Sequence, residues 1–249
     1  MAKYPPEVTQ RFHGSAEQMA TALVGEPPVK WQSIVIEDYD PAWADRFAAV
    51  SASFTEALDG LIIDIEHVGS TSVPGLAAKP IIDIDLLIED TAEESRYIPA
   101  LERLGYRLVL REPWWYGHRM LVSPAEDVNL HVWPPGAPEP IRHRLFRDWL
   151  RSHPEDRDRY AAAKRRLARD TTHQPSTYSL AKNDVIDDIY ARIFAAEDRP
   201  AMARAPVPDD RSGLADQSPE DTDEGWGERP EPDDDERRYG ERPPHWESD

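Results

Sequence analysis

The run Glu66-His67-Val68-Gly69-Ser70-Thr71-Ser72-Val73-Pro74-Gly75-Leu76-Ala77-Ala78-Lys79-Pro80-Ile81-Ile82-Asp83-Ile84-Asp85-Leu86 decides how this chain is read. A small, hydroxyl-rich turn leads to a lysine and then to two carboxylates in an apolar strand. Strand side chains alternate between faces, so Asp83 and Asp85 project to the same side. They lie about 7 Å apart along that face, a spacing that suits hard cations held by oxygen. Their neighbours Ile81, Ile82, Ile84, Leu86, Leu87 and Ile88 describe a central strand, where an unpaired buried charge is costly. Gly69 lets the backbone bend, and Ser70, Thr71 and Ser72 offer hydroxyls and N–H groups to a phosphate. The pattern describes a site for a metal-bound nucleoside triphosphate. Read separately, Gly-Ser-Thr-Ser is an ordinary turn, and Lys79 is either a point charge for phosphate or a surface lysine before a proline.

Working outward, Trp31–Glu37 alternates and predicts a strand. Asp40 followed by Pro41 predicts a helix start, and Phe47, Val50, Phe54 and Leu58 recur at helical spacing over 41–59. Ile62–Val68 and Ile81–Ile88 read as strands. Residues 91–104 read as a helix stopped by Gly105. Strands at Tyr106–Glu112, His118–Ser123 and Asp127–Trp133 follow, then helices at 138–152, 155–170 and 177–197. This order predicts an α+β fold: a mixed sheet with helices packed on one face and a helical C-terminal portion. Residues 1–30 read as a flexible arm with a helical turn near Ala16–Leu23, and 31–198 as the folded domain. Residues 199–249, with 16 acidic residues against 7 arginines, read as a disordered acidic, proline-rich tail. That tail either solubilises the chain or recruits a basic partner, with Trp226 or Trp246 as its anchor.

The net charge of −19 over 249 residues makes nucleic acid an unsuitable partner. The absence of cysteine excludes disulfides, thiol catalysis and cysteine-bound zinc. No apolar run approaches a membrane span or a signal core, so a cytoplasmic location is expected. No Walker-type phosphate loop, Rossmann glycine pattern, nucleophile elbow or His-Glu-x-x-His appears.

These residues resemble the GrpB family, a branch of the nucleotidyltransferase superfamily that includes DNA polymerase beta. That superfamily shows Gly-Ser, about a dozen residues, and then Asp-x-Asp or Asp-x-Glu on a strand. Gly69-Ser70 and Asp83-Ile84-Asp85 match it. Asn129-Leu130-His131-Val132, Arg144-Leu145-Phe146-Arg147-Asp148, His153-Pro154 and Tyr178-Ser179-Leu180-Ala181-Lys182 resemble GrpB segments in the same order. The likeness covers about residues 31 to 197. It implies a nucleotidyltransferase-like sheet and Mg²⁺ or Mn²⁺ on Asp83 and Asp85. It also implies transfer of a nucleotidyl group from a nucleoside triphosphate to a small-molecule or protein acceptor.

The superfamily takes a third carboxylate from a later strand, here the one at Asp127–Trp133. His131 stands there as base or ligand, with Asp127 as the alternative and a structural histidine as the plain one. Arg144, Arg147 and Arg151 share a helix face with Arg142 nearby. They engage a phosphate or simply pair with Asp148 and Glu155. Arg119, beside the aromatic Trp114-Trp115-Tyr116 loop, and Lys182 on the last helix complete the candidate phosphate ligands. A catalytically silent nucleotide or metabolite sensor on the same fold is the competing reading, because GrpB-like domains also occur joined to dephospho-CoA kinase.

Overall fold

The computed structural model describes residues 3–32, 34–170 and 182–197; the expected tail at 199–249 and the segment around Tyr178 lie outside them. The five expected core strands are present as β1 (Ile62–Val68), β2 (Ile82–Ile88), β3 (Arg107–Glu112), β4 (His118–Val122) and β5 (Val128–Trp133). Their order in the sheet is β1-β2-β5-β4-β3. β2 runs parallel to β5, and the other neighbours are antiparallel. The mixed α+β architecture is therefore the one the sequence predicts.

Helices α3 (Ala42–Ala57) and α4 (Ile98–Arg103) cover one face. Asp40 accepts from the Ala42 N–H at 2.9 Å, which caps the entry to α3. Under these helices Ile82, Ile84, Leu86, Leu130 and Val132 meet Phe54, Leu58 and Leu101 in the main core. Helices α5 (Pro138–Ser152), α6 (Pro154–Asp170) and, after the undescribed stretch, α7 (Asn183–Glu197) form the C-terminal portion. They share a second core with Val73, Leu76 and Ala77 of the loop between β1 and β2. Beyond the α3–α4 face, α5 meets the other face of the sheet, where its His143 bonds Asp85 and its Arg147 bonds Glu66. Among the described residues no helix is long and apolar enough to cross a membrane.

One expectation needs correction. Among the described residues of Trp31–Glu37 no strand forms: Val29–Gln32 is a 3₁₀ turn, and the pairing there is a single bridge from Glu37 to Ala78. The alternation exists, since Ile34 and Ile36 are partly buried and Val35 is exposed, but the facing loop soon reaches Pro80, which has no N–H to extend a ladder. In the N-terminal stretch the helical turn expected near Ala16–Leu23 is present. The stretch forms α1 (Pro6–Thr9) and α2 (Ala16–Ala20), the latter closed by a reciprocal Ser15–Gln18 capping box. Val8 and Met19 are buried. The Val24 N–H donates to Val109 O at 2.9 Å, so the stretch ends along β3.

Candidate functional site

Register fixes what the second sheet face presents. Glu66, Asp85, His131 and Met120 lie opposite one another in one row across β1, β2, β5 and β4. Val68, Asp83, Asn129 and Val122 form the next row. Alternation sends both aspartates away from the apolar core, and the covering elements then bury them, leaving Asp83 2% and Asp85 1% exposed. They point into the protein and not to bulk water. Gly69 follows Val68 directly, so the turn opens beside Asp83.

The turn itself is built by glycine. Gly69 has φ 68° and ψ −173°, a combination essentially reserved for glycine. A 3₁₀ turn, Ser70–Ser72, follows, with all three side chains buried. Its hydroxyls are mostly committed locally. Thr71 Oγ1 donates to Ile81 O at 3.0 Å and lies 3.0 Å from His67 Nε2. Ser72 Oγ donates to Gly69 O at 2.6 Å. Ser70 differs: its Oγ accepts from the fully buried Lys164 Nζ at 2.6 Å and keeps its own proton to donate. Arg151 closes the turn by donating to Ser72 O at 2.7 Å.

Asp85 is held on both oxygens. Trp133 Nε1 donates to Oδ1 at 3.0 Å, and His143 Nδ1 from α5 donates to Oδ2 at 2.8 Å. Burial alone would push the Asp85 carboxyl up, but the His143 charge and these hydrogen bonds hold it below the ordinary carboxylate value. Burial would likewise lower the His143 imidazolium, yet the Asp85 charge and hydrogen bond raise it to about 8. His143 is therefore a cation at neutral pH. Asp83 Oδ1 accepts from Asn129 Nδ2 at 2.8 Å and stands 4.0 Å from His131 Nε2. Behind His131 lie two further buried groups. His131 Nδ1 is 3.0 Å from His118 Nε2, and His118 Nδ1 is 2.7 Å from Glu112 Oε2. Burial pushes His118 down to about 3 and His131 well below its usual value, so both rings are neutral.

The structure brings Gly69, Ser70, Thr71, Ser72, Asp83, Asp85 and His131 to one face and adds Arg147 at its rim. Arg147 Nη1 donates to Glu66 Oε2 at 2.7 Å and to His67 O at 3.0 Å. Its expected partner Asp148 is present too, at 2.8 Å. Lys182 is buried at the head of α7, and Lys79 is half-buried on the approach to β2. Arg119 is the misplaced residue. It pairs in register with Val132, so it faces the α3–α4 side, where it donates to Glu94 Oε1 at 2.6 Å beside Arg111. A one-residue change of parity on β4 separates it from the site. Asp127 is likewise committed elsewhere, accepting from Ser123 Oγ at 2.7 Å. The sequence reading missed Glu112, Asn129, Trp133, His143 and Lys164 as site residues. Asn129 and Trp133 share the parity of His131 and were legible; His143 and Lys164 come from helices whose docking no local pattern reveals.

The donor set does not make a cation site as arranged. Among the described residues no three His, Asp or Glu side chains converge to hold a metal ion. Both Asp85 oxygens are engaged, one of them by a cationic imidazolium standing where a metal charge would be. The expected Mg²⁺ or Mn²⁺ on Asp83 and Asp85 is thus not matched by this geometry.

Comparison with known proteins decides the relationship. Residues 33–192 match the family profile described as GrpB protein. The chain belongs to the GrpB family. It is 44% identical over 179 residues to a UPF0157 protein of Halalkalibacterium halodurans, spanning 72% of this chain and 92% of that one. A UPF0157 protein of Streptomyces coelicolor is 44% identical over 174 residues, with 70% and 90% covered. The crystal structure of the conserved protein GrpB from Enterococcus faecalis superposes with a TM-score of 0.60 at 29% identity, covering 65% of this chain and 98% of that one. A more distant likeness, 25% over 211 residues, links 74% of this chain to 51% of a dephospho-CoA kinase of Mycolicibacterium paratuberculosis. The α3–α4 core, the sheet and the aspartate face all fall inside the GrpB match, whereas α1 and α2 precede it.

Proposed function

We propose that this GrpB-family protein binds a nucleoside triphosphate across the Gly69–Ser72 turn and the Asp83–Asp85 face, and passes a nucleotidyl group to a hydroxyl or amine acceptor. The observation that carries the reading is the placement of two buried carboxylates on one sheet face directly beside a glycine-dependent serine turn. The site also brings its own positive charge, from Lys164 at Ser70, Arg147 at the rim and His143 on Asp85. In this reading those side chains meet the charge of the phosphates.

A catalytically silent nucleotide or metabolite binder is the second reading. It is favoured by Asp85, whose two oxygens are both occupied by protein donors. Isothermal titration with each of the four nucleoside triphosphates, with and without Mg²⁺ or Mn²⁺, tests both. Binding that weakens at least tenfold, about 1.4 kcal/mol, in an Asp83→Asn/Asp85→Asn double variant supports the site. Pyrophosphate release with a hydroxyl or amine acceptor supports transfer, and binding with no release leaves the second reading. No binding of any of the four overturns both.

A further inference from the structure

Beneath the aspartates a file of buried polar side chains has no counterpart in the phosphate-binding account. Glu112, His118 and His131 are 1%, 1% and 3% exposed, and the rings of His118 and His131 stack at 5.2 Å. The file joins the end of β3, the start of β4 and the middle of β5, and Trp133 packs flat on His118 at 4.1 Å. Burying so many polar atoms is costly unless they are hydrogen-bonded to one another, and the bonds they make constrain where the protons sit.

The assignment starts from Glu112. Taken as an ionised carboxylate, which only accepts, Glu112 makes His118 Nδ1 the donor of the 2.7 Å contact. The neutral His118 then carries a bare Nε2, which accepts at 3.0 Å from His131 Nδ1–H. The neutral His131 in turn carries a bare Nε2. That atom is buried and has no hydrogen-bond partner among the described residues. It lies 4.0 Å from Asp83 Oδ1, too far for a hydrogen bond. A lone pair and a carboxylate oxygen thus converge, and a hydroxyl or amine hydrogen is what each of them accepts.

We propose that Glu112 and His118 are positioning residues that fix His131 as its Nδ1–H tautomer, so that His131 Nε2 is the proton acceptor for an acceptor substrate's hydroxyl or amine. The transfer is balanced within the file. The ligand O–H or N–H bond breaks and an Nε2–H bond forms on His131. The Nδ1 proton of His131 passes to His118 Nε2, and the Nδ1 proton of His118 passes to Glu112. The rings end neutral, one carboxylate is neutralised at the far end, and the electron pair remains on the ligand oxygen or nitrogen. The acceptor-substrate role rests on the transfer reading above; the tautomer does not.

Long-range ¹H–¹⁵N correlation of the imidazoles in the ligand-free, ¹⁵N-labelled full chain tests the tautomer. The expected spectrum has His118 and His131 each protonated at Nδ1, with a bare, pyridine-type Nε2. A proton on His131 Nε2, with Glu112 as a neutral acid, overturns the proposal. In Glu112→Gln the file loses its obligate acceptor, and the His131 nitrogens are expected to shift toward a tautomer mixture while the backbone amide spectrum stays folded. Unchanged His131 nitrogens in that folded variant remove Glu112 from the positioning role. If the variant does not fold, the wild-type spectrum decides alone. Titration with a nucleoside triphosphate and a hydroxyl acceptor then separates the two readings. Movement of the His131 Nε2 resonance supports the acceptor role, and binding without that movement overturns it. Absence of all nucleotide binding removes the nucleotide reading, and the ligand-free spectrum then decides the tautomer.

Discussion

The two faces of the sheet are built from the same five strands and obey opposite rules. Toward α3 and α4, alternate residues of β2 and β5 are Ile, Leu and Val, closed by Phe54, Leu58 and Leu101 with little polar atom to satisfy. Toward α5, the intervening residues of the same strands are Asp83, Asp85, Asn129, His131 and Trp133, equally buried but tied to one another and to α5 by hydrogen bonds, with His131 Nε2 left over among the described residues. One face folds by excluding water; the other is a polar network that the first face holds in place. The difference teaches that β2 divides its positions between two tasks. Its even positions make the core, and its odd positions carry the aspartates that Asn129, Trp133 and His143 engage.

The largest break in that contrast belongs to the apolar face. Phe54 is fully buried and meets Tyr106 edge-on at 4.9 Å. Phe54→Ala is expected to lower stability by about 3–5 kcal/mol, the range for a buried aromatic truncated to alanine, read as a shifted urea midpoint at constant slope. On the polar face Asp85→Asn removes a charge and keeps the shape. It is expected to cost roughly 1.5–3 kcal/mol, the scale of hydrogen bonds to charged groups, and to return His143 from about 8 toward its ordinary value. A loss as large as that of Phe54→Ala, with His143 unmoved in an NMR titration, would dissolve the distinction between a packed face and a matched one. Gly69→Ala acts through backbone alone. Its φ of 68° and ψ of −173° imply about 1–3 kcal/mol of strain. Any fall in nucleotide affinity beyond what the remaining folded fraction explains then reports on the turn.

Legibility followed the same division. The strands, α3, α5 and the Asp83–Asp85 parity were readable, because period-2 alternation and helix spacing are local properties of the chain. The glycine turn was readable because its role depends on glycine's own backbone. The Lys164–Ser70 and His143–Asp85 pairs were not readable, since each joins residues far apart in sequence whose helices dock only in three dimensions. The Trp31–Glu37 strand failed for the converse reason: its alternation was local and real, but the segment facing it offers one bridge, at Ala78, before Pro80 removes the next donor. Arg119 shows the narrowest failure, an error of one parity on a correctly assigned strand.

pH sharpens the contrast with signs that differ by residue. His67 is pushed down to about 4, by burial first and then by Arg151 and Arg147, and His118 to about 3 by burial. Each is neutral in the fold and protonated more readily once unfolded. Their contribution is complete above the unfolded value near 6.5 and is lost as pH falls from there toward 3. His143 is raised to about 8 by Asp85, so its contribution is complete below about 6.5 and is lost as pH rises through 8. Chemical melts between pH 4 and 9.5 are expected to show stability falling on both sides of neutrality. His143→Gln is expected to flatten the alkaline limb and leave the acid limb; a retained alkaline limb would detach it from the His143–Asp85 pair.

The smallest expected effect is the most exacting check on which face binds ligand. Arg119 is an arginine one residue from the buried His118, on a strand of the site, and by sequence alone it belongs with the phosphate ligands. Its register with Val132 turns it the other way, onto Glu94, where Arg111 holds both carboxylate oxygens of the same side chain. That double grip, led by the Arg111 hydrogen bonds, pulls the Glu94 carboxyl down to about 2, and Arg111 keeps one partner in place if Arg119 is lost. Arg119→Gln is therefore expected to change nucleotide affinity less than twofold, whereas Arg147→Gln at the rim of the aspartate face lowers it severalfold. Titrating both variants under the same conditions decides the matter, because a loss in Arg119→Gln equal to that in Arg147→Gln would require the phosphates to lie on the α3–α4 side, where Arg119 stands between Val132 and Arg111 and both arginines are already paired with Glu94.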